Sequence, residues 1–247
     1  MALYDRFSDV MKAHGPFVQC MERKRQERIL DWMAPFLKIE GGACRALEVG
    51  IGIGLFASAC RQRGWRYIGI DRNEKMVQAL DEDYHVLVGE VPPLPEGVDL
   101  ASCDLAYSSF VLEHLADGIQ CYEFVRELSR ALKPEGVLVL VVPDALNIGI
   151  EFWNLDYTHR YPTADRNVTQ ILLECGLQVE RLIRYRGAGW TGWQYLLARV
   201  AGWFYSYRFW QIILCNRNWP YSVYYYLKND ILVFICRKPV STGEVSC

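Results

Sequence analysis

Apolar and polar positions alternate along the middle of the chain in a way that predicts strands and helices in turn. Short apolar runs that suit buried strands occupy residues 43–50, 65–71, 85–90, 103–109 and 136–143. Stretches with apolar residues at helical spacing occupy residues 55–64, 73–83 and 118–133. Strands and helices that alternate at these intervals favour a parallel sheet covered by helices on both faces.

The rest of the chain extends this sheet and adds a helical start and a long connection. Residues 162–176 predict another helix, and residues 177–185 and 230–238 predict two further strands, which makes seven. Residues 186–229 are far more than two neighbouring strands need as a connection, so we interpret them as an insertion. The predicted regions are a helical cap at 1–40, a central α/β domain at 41–186, an aromatic-rich insertion at 187–229, and a last strand and tail at 230–247.

Composition narrows the classes of protein and partner. The 247 residues are 51% hydrophobic, and a net charge of −2 gives no general field for nucleic acid, which we do not expect as a partner. The basic run from Glu22 to Arg25 is therefore predicted to be a solvated helix face. Nine cysteines without a C-x-x-C pair indicate reduced thiols and give no support for a zinc site. The sequence has neither a signal peptide nor an uncharged apolar stretch of about 18 residues, so we expect a cytoplasmic protein.

A glycine-rich loop follows the first predicted strand and precedes the first predicted helix. It reads Glu48-Val-Gly-Ile-Gly-Ile-Gly54, and glycines at such a place let the backbone turn tightly and approach a ligand. The dinucleotide pattern G-x-G-x-x-G is not met, because Leu55 stands where its third glycine belongs. A G-K-[ST] sequence does not follow, which excludes a P-loop. The spacing therefore disfavours a nicotinamide oxidoreductase.

This loop resembles the first motif of the class I S-adenosylmethionine-dependent methyltransferases, [D/E]-x-G-x-G-x-G. The resemblance continues in order with Asp71 at the end of the second strand and Gly89-Glu90-Val91 at the end of the third. DLAYSSFVLEHLAD at 104–117 and ELSRALKPEGVLVLVVP at 127–143 look like the next motifs of small-molecule enzymes of the ubiquinone-biosynthesis type. The family implies a Rossmann-like, seven-stranded, mostly parallel sheet with helices on both faces, and S-adenosylmethionine as cofactor.

The resemblance also implies which residues hold that cofactor. Glu48 would lie near its methionine end, Asp71 would accept hydrogen bonds from both ribose hydroxyls, and Glu90 would face the adenine amino group, with the backbone of Val91 against the ring. The full expected set is Glu48, Gly50, Ile51, Gly52, Gly54, Asp71, Arg72, Met76, Glu90, Val91, Ser108, Ser109 and His114.

Two histidines are candidates for the chemistry of the acceptor. Methyl transfer is an in-line displacement that depends mainly on alignment, but an alcohol or phenol also has to lose a proton to a base. His159 in DYTHRYPT is our first choice, with Asp156 as a carboxylate to orient it, and His114 in LEHL is the second. A structural role remains open for both. Together with Glu113 these side chains are an alternative site for a divalent metal, but without further ligand-spaced acids we expect no metal.

The insertion offers several roles that the sequence leaves open. Residues 181–228 contain no acid, and fifteen of these 48 residues are aromatic. Such a segment suits a lid over an apolar or aromatic acceptor, a peripheral membrane contact, a homodimer interface or additional core. The leading prediction is methyl transfer to an oxygen of a small molecule in the biosynthesis of a lipid, quinone, glycan or natural product. N- or C-methylation and a non-catalytic cofactor-binding scaffold are the alternatives.

Overall fold

The computed structural model describes residues 15–39, 42–80, 83–214 and 219–240, and within them it shows one seven-stranded sheet. The strands are β1 (Arg45–Val49), β2 (Arg66–Asp71), β3 (His85–Val88), β4 (Cys103–Ser109), β5 (Leu132–Pro143), β6 (Gln178–Tyr185) and β7 (Ile231–Arg237). Their spatial order is β3-β2-β1-β4-β5-β7-β6. The first five strands are parallel, and β7 runs antiparallel between β5 and β6. The predicted Rossmann-like, mostly parallel sheet is therefore confirmed.

Helices cover this sheet and follow its strands. They are α1 (Pro16–Met33), α2 (Leu55–Gln62), α3 (Glu74–Ala79), α4 (Gly118–Ala131), α5 (Ala145–Ile148), α6 (Glu151–Leu155), α7 (Asp165–Glu174), α8 (Gly192–Phe204), α9 (Tyr207–Ile213) and α10 (Trp219–Lys228). Short 3₁₀ turns lie at Ala34–Phe36 and Leu112–His114. The helix predicted to reach residue 133 ends at Ala131 instead, because Pro134 disfavours a helical conformation of the residue before it.

The core consists of two layers, one on each face of the sheet. On one face Phe124 and Leu128 of α4 pack with Val168 and Leu172 of α7. On the other face the layer is formed by α1 and α2 against the opposite side chains of β4, β5 and β7. The central strands are buried on both faces, which is why each reads as a nearly continuous apolar run in the sequence.

The N-terminal helix α1 starts at Pro16, in the first turn, where a missing backbone N–H costs nothing. Its residues Ile29, Leu30 and Met33 are buried in the second core layer. The predicted cap at 1–40 thus contains a helix that is tied to the sheet, whereas residues 1–14 of that prediction lie outside the described part of the chain.

The predicted insertion holds the helices α8, α9 and α10, and α10 packs against the other two. Arg186 and Asp230 form a buried ion pair where the insertion leaves and rejoins the sheet. Asp230 also accepts a hydrogen bond from Tyr195 of α8 at 2.8 Å, and Arg186 donates to the carbonyl of Leu227 at 2.8 Å. Among the described helices, none is long and apolar enough to cross a membrane.

Candidate functional site

A cavity of about 540 Å³ opens at the carboxyl ends of the parallel strands. It is lined by the ends of β1, β2 and β4 and by the glycine-rich loop, and α1 and α10 contribute walls. This is where an open α/β sheet binds its ligands, since the loops that follow the strands meet there. The volume falls in the range of small-molecule and cofactor sites.

The three glycines of the loop have different surroundings. Gly50, Gly52 and Gly54 all have positive φ, at 84°, 52° and 76°. A Cβ at Gly50 would lie 2.5 Å from Val111, and one at Gly54 would lie 2.5 Å from Leu80, whereas one at Gly52 would meet no atom of the described chain within 4 Å. Gly50 and Gly54 are therefore required by packing, and Gly52 presents bare backbone to the cavity.

Glu48 and Asp71 lie on either side of this loop. Glu48 is buried and accepts a hydrogen bond from the Tyr67 hydroxyl at 2.5 Å, and burial raises its pKa well above the usual value. Asp71 accepts bonds from the backbone N–H groups of Ile51 at 3.1 Å and Asn73 at 2.8 Å. Burial raises the pKa of Asp71, and these two bonds oppose that rise. Asp71 thus orders the glycine-rich loop and also lines the cavity.

Most of the other predicted cofactor residues reach the same cavity. Those that line it are Ile51, Arg72, Met76, Glu90, Val91, Ser109 and His114. Arg72 lies 3.8 Å from Glu90 at the half-exposed end where the adenine would lie. Gly54, at the end of the loop, is buried and does not line the cavity. Ser108 does not line it either, and its hydroxyl donates to the carbonyl of Val49 at 3.0 Å. Ser108 and Ser109 point to opposite faces of β4, and only Ser109 points to the ligand side.

The two candidate histidines meet at the cavity wall, with their ring centroids 5.0 Å apart. His159 places Nδ1 2.6 Å from the carbonyl oxygen of Phe152, which can only accept, so Nδ1 carries the proton. The hydroxyl of Thr158 donates to Asp156 at 2.7 Å and lies 2.9 Å from Nδ1 of His114, so that nitrogen also donates. In both imidazoles, Nε2 is therefore the basic nitrogen.

The predicted orientation of His159 by the Asp156 carboxylate is wrong. That carboxylate accepts hydrogen bonds from the backbone N–H and the hydroxyl of Thr158. The same hydroxyl is hydrogen-bonded to His114, so Asp156 helps to orient His114 and not His159. The reason is the tight turn at 156–158, which directs the carboxylate back onto Thr158. His159 is instead held by the carbonyl of Phe152 and by that residue's ring, with the two centroids 4.5 Å apart.

Glu113 adds a buried carboxyl group to this cluster. Neither of its oxygens has a hydrogen-bond partner in the described part of the chain, and burial raises its pKa to about 8. Ligand atoms of Glu113, His114 and His159 lie within 4.8 Å of one another, so a cation could be reached by all three. Without a cation, the carboxyl group of Glu113 is therefore mostly protonated and neutral at neutral pH.

Sequence reasoning missed the residues of the two walls. The predicted solvated run of α1 is wrong for Glu22 and Arg25, which form a part-buried ion pair that lines the cavity. Tyr226 of α10 donates to Glu22 at 2.7 Å and joins the two walls. The available signal is the spacing of Val18, Glu22, Arg25, Gln26 and Ile29, which places them on one side of a helix.

Comparisons with known proteins agree with this site. Residues 21–182, more than half of the chain, match a family described as a methyltransferase domain. An uncharacterized 37.1 kDa protein of transposon TN4556 from Streptomyces fradiae is 31% identical over 149 residues, which are 56% of this chain and 41% of that protein. The probable S-adenosylmethionine-dependent methyltransferase of Mycolicibacterium smegmatis is 30% identical over 151 residues, 58% of this chain and 56% of that one. The chain thus spans about half the length of these relatives.

Solved structures of methyltransferases have the same fold. The crystal structure of a SAM-dependent methyltransferase from Archaeoglobus fulgidus superposes with a TM-score of 0.60 at 21% identity, covering 91% of this chain and 100% of that one. The glycine-rich loop, the acids at the ends of β1 and β2 and the matched family converge on one cofactor, S-adenosylmethionine. The chain belongs to the class I S-adenosylmethionine-dependent methyltransferases.

Proposed function

We propose that the protein transfers the methyl group of S-adenosylmethionine to an oxygen atom of a small molecule, with His159 as general base. The observation that carries this proposal is the imidazole of His159, which lines the cavity and is held in the tautomer with a basic Nε2. S-adenosylmethionine, when bound, supplies an electrophilic methyl group with a neutral thioether as leaving group. The residues of this chain then have to align the acceptor and remove its proton.

His159 is a better base than His114. Burial lowers the pKa of both imidazoles, and that of His114 falls to about 4 because burial and the neighbouring His159 both disfavour its charge. A base works best when its pKa lies near the operating pH, and the pKa of His159 is lowered less. His114, fixed through Thr158 and Asp156, acts as a positioning residue beside it.

The walls of the cavity indicate the chemistry of the acceptor. Three buried donor atoms in residues that line it, Arg25 Nη1, Gln26 Nε2 and Asn229 Nδ2, have no hydrogen-bond partner in the described part of the chain. Buried donors in native proteins are normally paired, so these atoms suit an acceptor that carries several oxygen atoms. Phe110, Tyr221 and Tyr225 give the same walls aromatic surface, which suits an apolar or aromatic body.

Other expectations remain proposals of lower rank. Transfer to nitrogen or carbon uses the same cofactor site, and a non-catalytic scaffold would bind the cofactor without turnover. A cytoplasmic location, a homodimer and a peripheral membrane contact are expectations from the sequence, and the last two concern residues 187–229. Activity is expected to need no metal, because the sequence offers no further ligand-spaced acids beside Glu113 and Asp156.

The experiment is to incubate the protein with S-adenosylmethionine, labelled in its methyl group, and a panel of phenols, hydroxylated lipids and sugars. We expect S-adenosylhomocysteine to form with a hydroxylated acceptor, in EDTA as well as in magnesium, and the label to appear on oxygen by NMR. A label on nitrogen or carbon would contradict the acceptor atom. Cofactor binding without turnover of any acceptor in the panel would favour the scaffold, and turnover that EDTA abolishes and magnesium restores would assign Glu113 as a metal ligand.

A further inference from the structure

Helix α8 presents its large apolar side chains to solvent. Trp193, Leu196, Leu197, Val200, Trp203 and Phe204 are between 54% and 82% exposed. Their spacing of three and four residues places them along one side of the helix. A surface helix of a globular protein normally turns such a stripe toward the core. Here the stripe faces outward over the described length of α8.

The inward side of α8 carries small residues. Ala198 and Gly202, four residues apart, are buried. A Cβ at Gly202 would lie 2.8 Å from the backbone oxygen of Leu227 in α10, so the two helices are packed with their backbones close together. The small residues thus serve the contact with α10, and more than half of the surface of each large residue is left uncovered.

The same surface continues onto α9. Phe209, Ile212 and Ile213 are 56%, 81% and 54% exposed, and Trp210 is 39% exposed. α9 begins three residues after α8 ends, and both helices pack against α10. Exposed apolar area on this scale, on two adjacent helices, marks an interaction site in a folded protein.

Charge identifies the partner. Arg199 and Arg208 are exposed on these two helices, and the sequence has no acid between residues 181 and 228. Tryptophan and other aromatic rings with arginine beside them suit the boundary between acyl chains and headgroups, and anionic headgroups complement the positive charge. We propose that α8 and α9 dock on the surface of a bilayer that contains anionic lipid. This proposal does not depend on the reaction or on the acceptor.

A second copy of the chain fits the same face less well. In a two-fold dimer the same patch contacts itself, so positive charge would meet positive charge, since residues 181–228 contain no acid. Glu151 of α6 is close enough to act on the charge of Arg208, which leaves Arg199 as the positive charge without an acid of its own segment. A bilayer surface covers the apolar stripe and neutralises the arginines together. At 13 residues α8 is about 20 Å long, so it lies in the interface and does not span the membrane.

The test is sedimentation of the full chain with vesicles of phosphatidylcholine, with and without phosphatidylglycerol. We expect binding to the vesicles with phosphatidylglycerol. Replacing the most exposed pair, Trp203→Ser with Phe204→Ser, should weaken that binding by at least about tenfold, because two aromatic rings no longer enter the interface. Arg199→Gln with Arg208→Gln should weaken it by about fivefold per arginine and remove most of the dependence on phosphatidylglycerol.

A matched control uses exposed apolar residues on other helices. Ile119 of α4 and Leu173 of α7 are 72% and 58% exposed, so Ile119→Ser with Leu173→Ser also removes two exposed apolar side chains, outside α8 and α9. This variant should bind vesicles as the wild type does, and all variants should keep the wild-type affinity for S-adenosylmethionine. The proposal is overturned if the wild type does not sediment with vesicles, or if the control loses as much binding as the α8 pair. It is also overturned if Trp203→Ser dissociates a dimer of a protein that does not bind vesicles.

Discussion

Gly52, at the centre of the loop after β1, lines the cavity with free space beside its Cα, whereas a Cβ at Gly50 or Gly54 would meet a neighbouring side chain. We expect Gly52→Val to abolish cofactor binding and to leave the fold intact, because the added side chain meets no protein atom and occupies the space of the ligand. Isothermal titration with S-adenosylmethionine should show an affinity at least about a hundredfold lower, which corresponds to about 2.7 kcal/mol.

Gly64 gives a control for the backbone strain of that variant. It has a φ of 65°, and a Cβ there meets no atom within 4 Å, but it lies after α2 and does not line the cavity. Gly64→Val should therefore cost the same 1–2 kcal/mol or so of stability as Gly52→Val and leave cofactor affinity unchanged. Equal losses of affinity in both variants would mean that strain, and not occupation of the cavity, is the cause.

The histidine pair gives a second prediction at this scale. His159→Gln should lower kcat by about 10²–10⁴-fold with little change in cofactor affinity, and His114→Gln should lower it less. The base is active when unprotonated, and burial lowers the pKa of His159, so kcat should stay constant from about pH 8 to about pH 6.5 and fall only below that. A profile that falls above pH 7, or full activity of His159→Gln, would exclude this histidine as the base.

The sequence predicts a site residue correctly when the position of its backbone alone brings it to the cavity. Glu48, Asp71 and the glycines follow from their places at strand ends, because the strand direction carries them to the cavity. Two features cannot be predicted in this way, because they depend on contacts between side chains of different elements. They are the surroundings of the Arg25–Glu22 pair and the hydrogen bonds from Asp156 through Thr158 to His114. Such meetings are a property of tertiary packing: the spacing of Glu22 and Arg25 places both on one side of α1, but it does not say what that side faces.

Elements of the sheet follow from the sequence more readily than those of the insertion. β1, β4, β5 and β7 are buried on both faces, so each appears as a run of apolar residues with turn residues at its ends. The insertion is as apolar, but α8 turns its large residues outward and its small ones inward. The sequence therefore leaves the role of this segment open, because the side of α8 that is buried is decided by its contact with α10 and not by the apolar pattern.

The contact between α8 and α10 can be tested by its own substitution. Gly202→Val would place side-chain atoms against the backbone of Leu227 and push α8 away from α10. Because α10 forms a wall of the cavity, we expect a higher KM for the acceptor and unchanged affinity for S-adenosylmethionine, whose expected residues Asp71 and Glu90 do not belong to α10. Gly15→Val, at a glycine with open space around it, is the control. Loss of cofactor affinity in Gly202→Val would show that the insertion supports the whole fold.

At the scale of the whole molecule, cofactor binding should stabilise the chain against heat. A ligand at a hundred times its dissociation constant adds about 2.7 kcal/mol, which for a chain of this size raises Tm by roughly 5–10 °C. Thermal unfolding with S-adenosylmethionine should show this shift, and NADH should give none, because the loop lacks the dinucleotide spacing. A shift with NADH that exceeds the shift with S-adenosylmethionine would contradict the cofactor assignment.

Two layers of helix separate the cavity from the exposed apolar surface. Tyr221, Ser222 and Tyr225 of α10 line the cavity, and α8 and α9 pack against α10. The exposed side chains of α8 lie on the side that faces away from α10. A helix with its side chains is about 10–12 Å thick, so the cavity and the proposed docking surface are about 20–24 Å apart. If both proposals hold, an acceptor with its reacting oxygen beside His159 stays in contact with the bilayer only if its tail is at least that long.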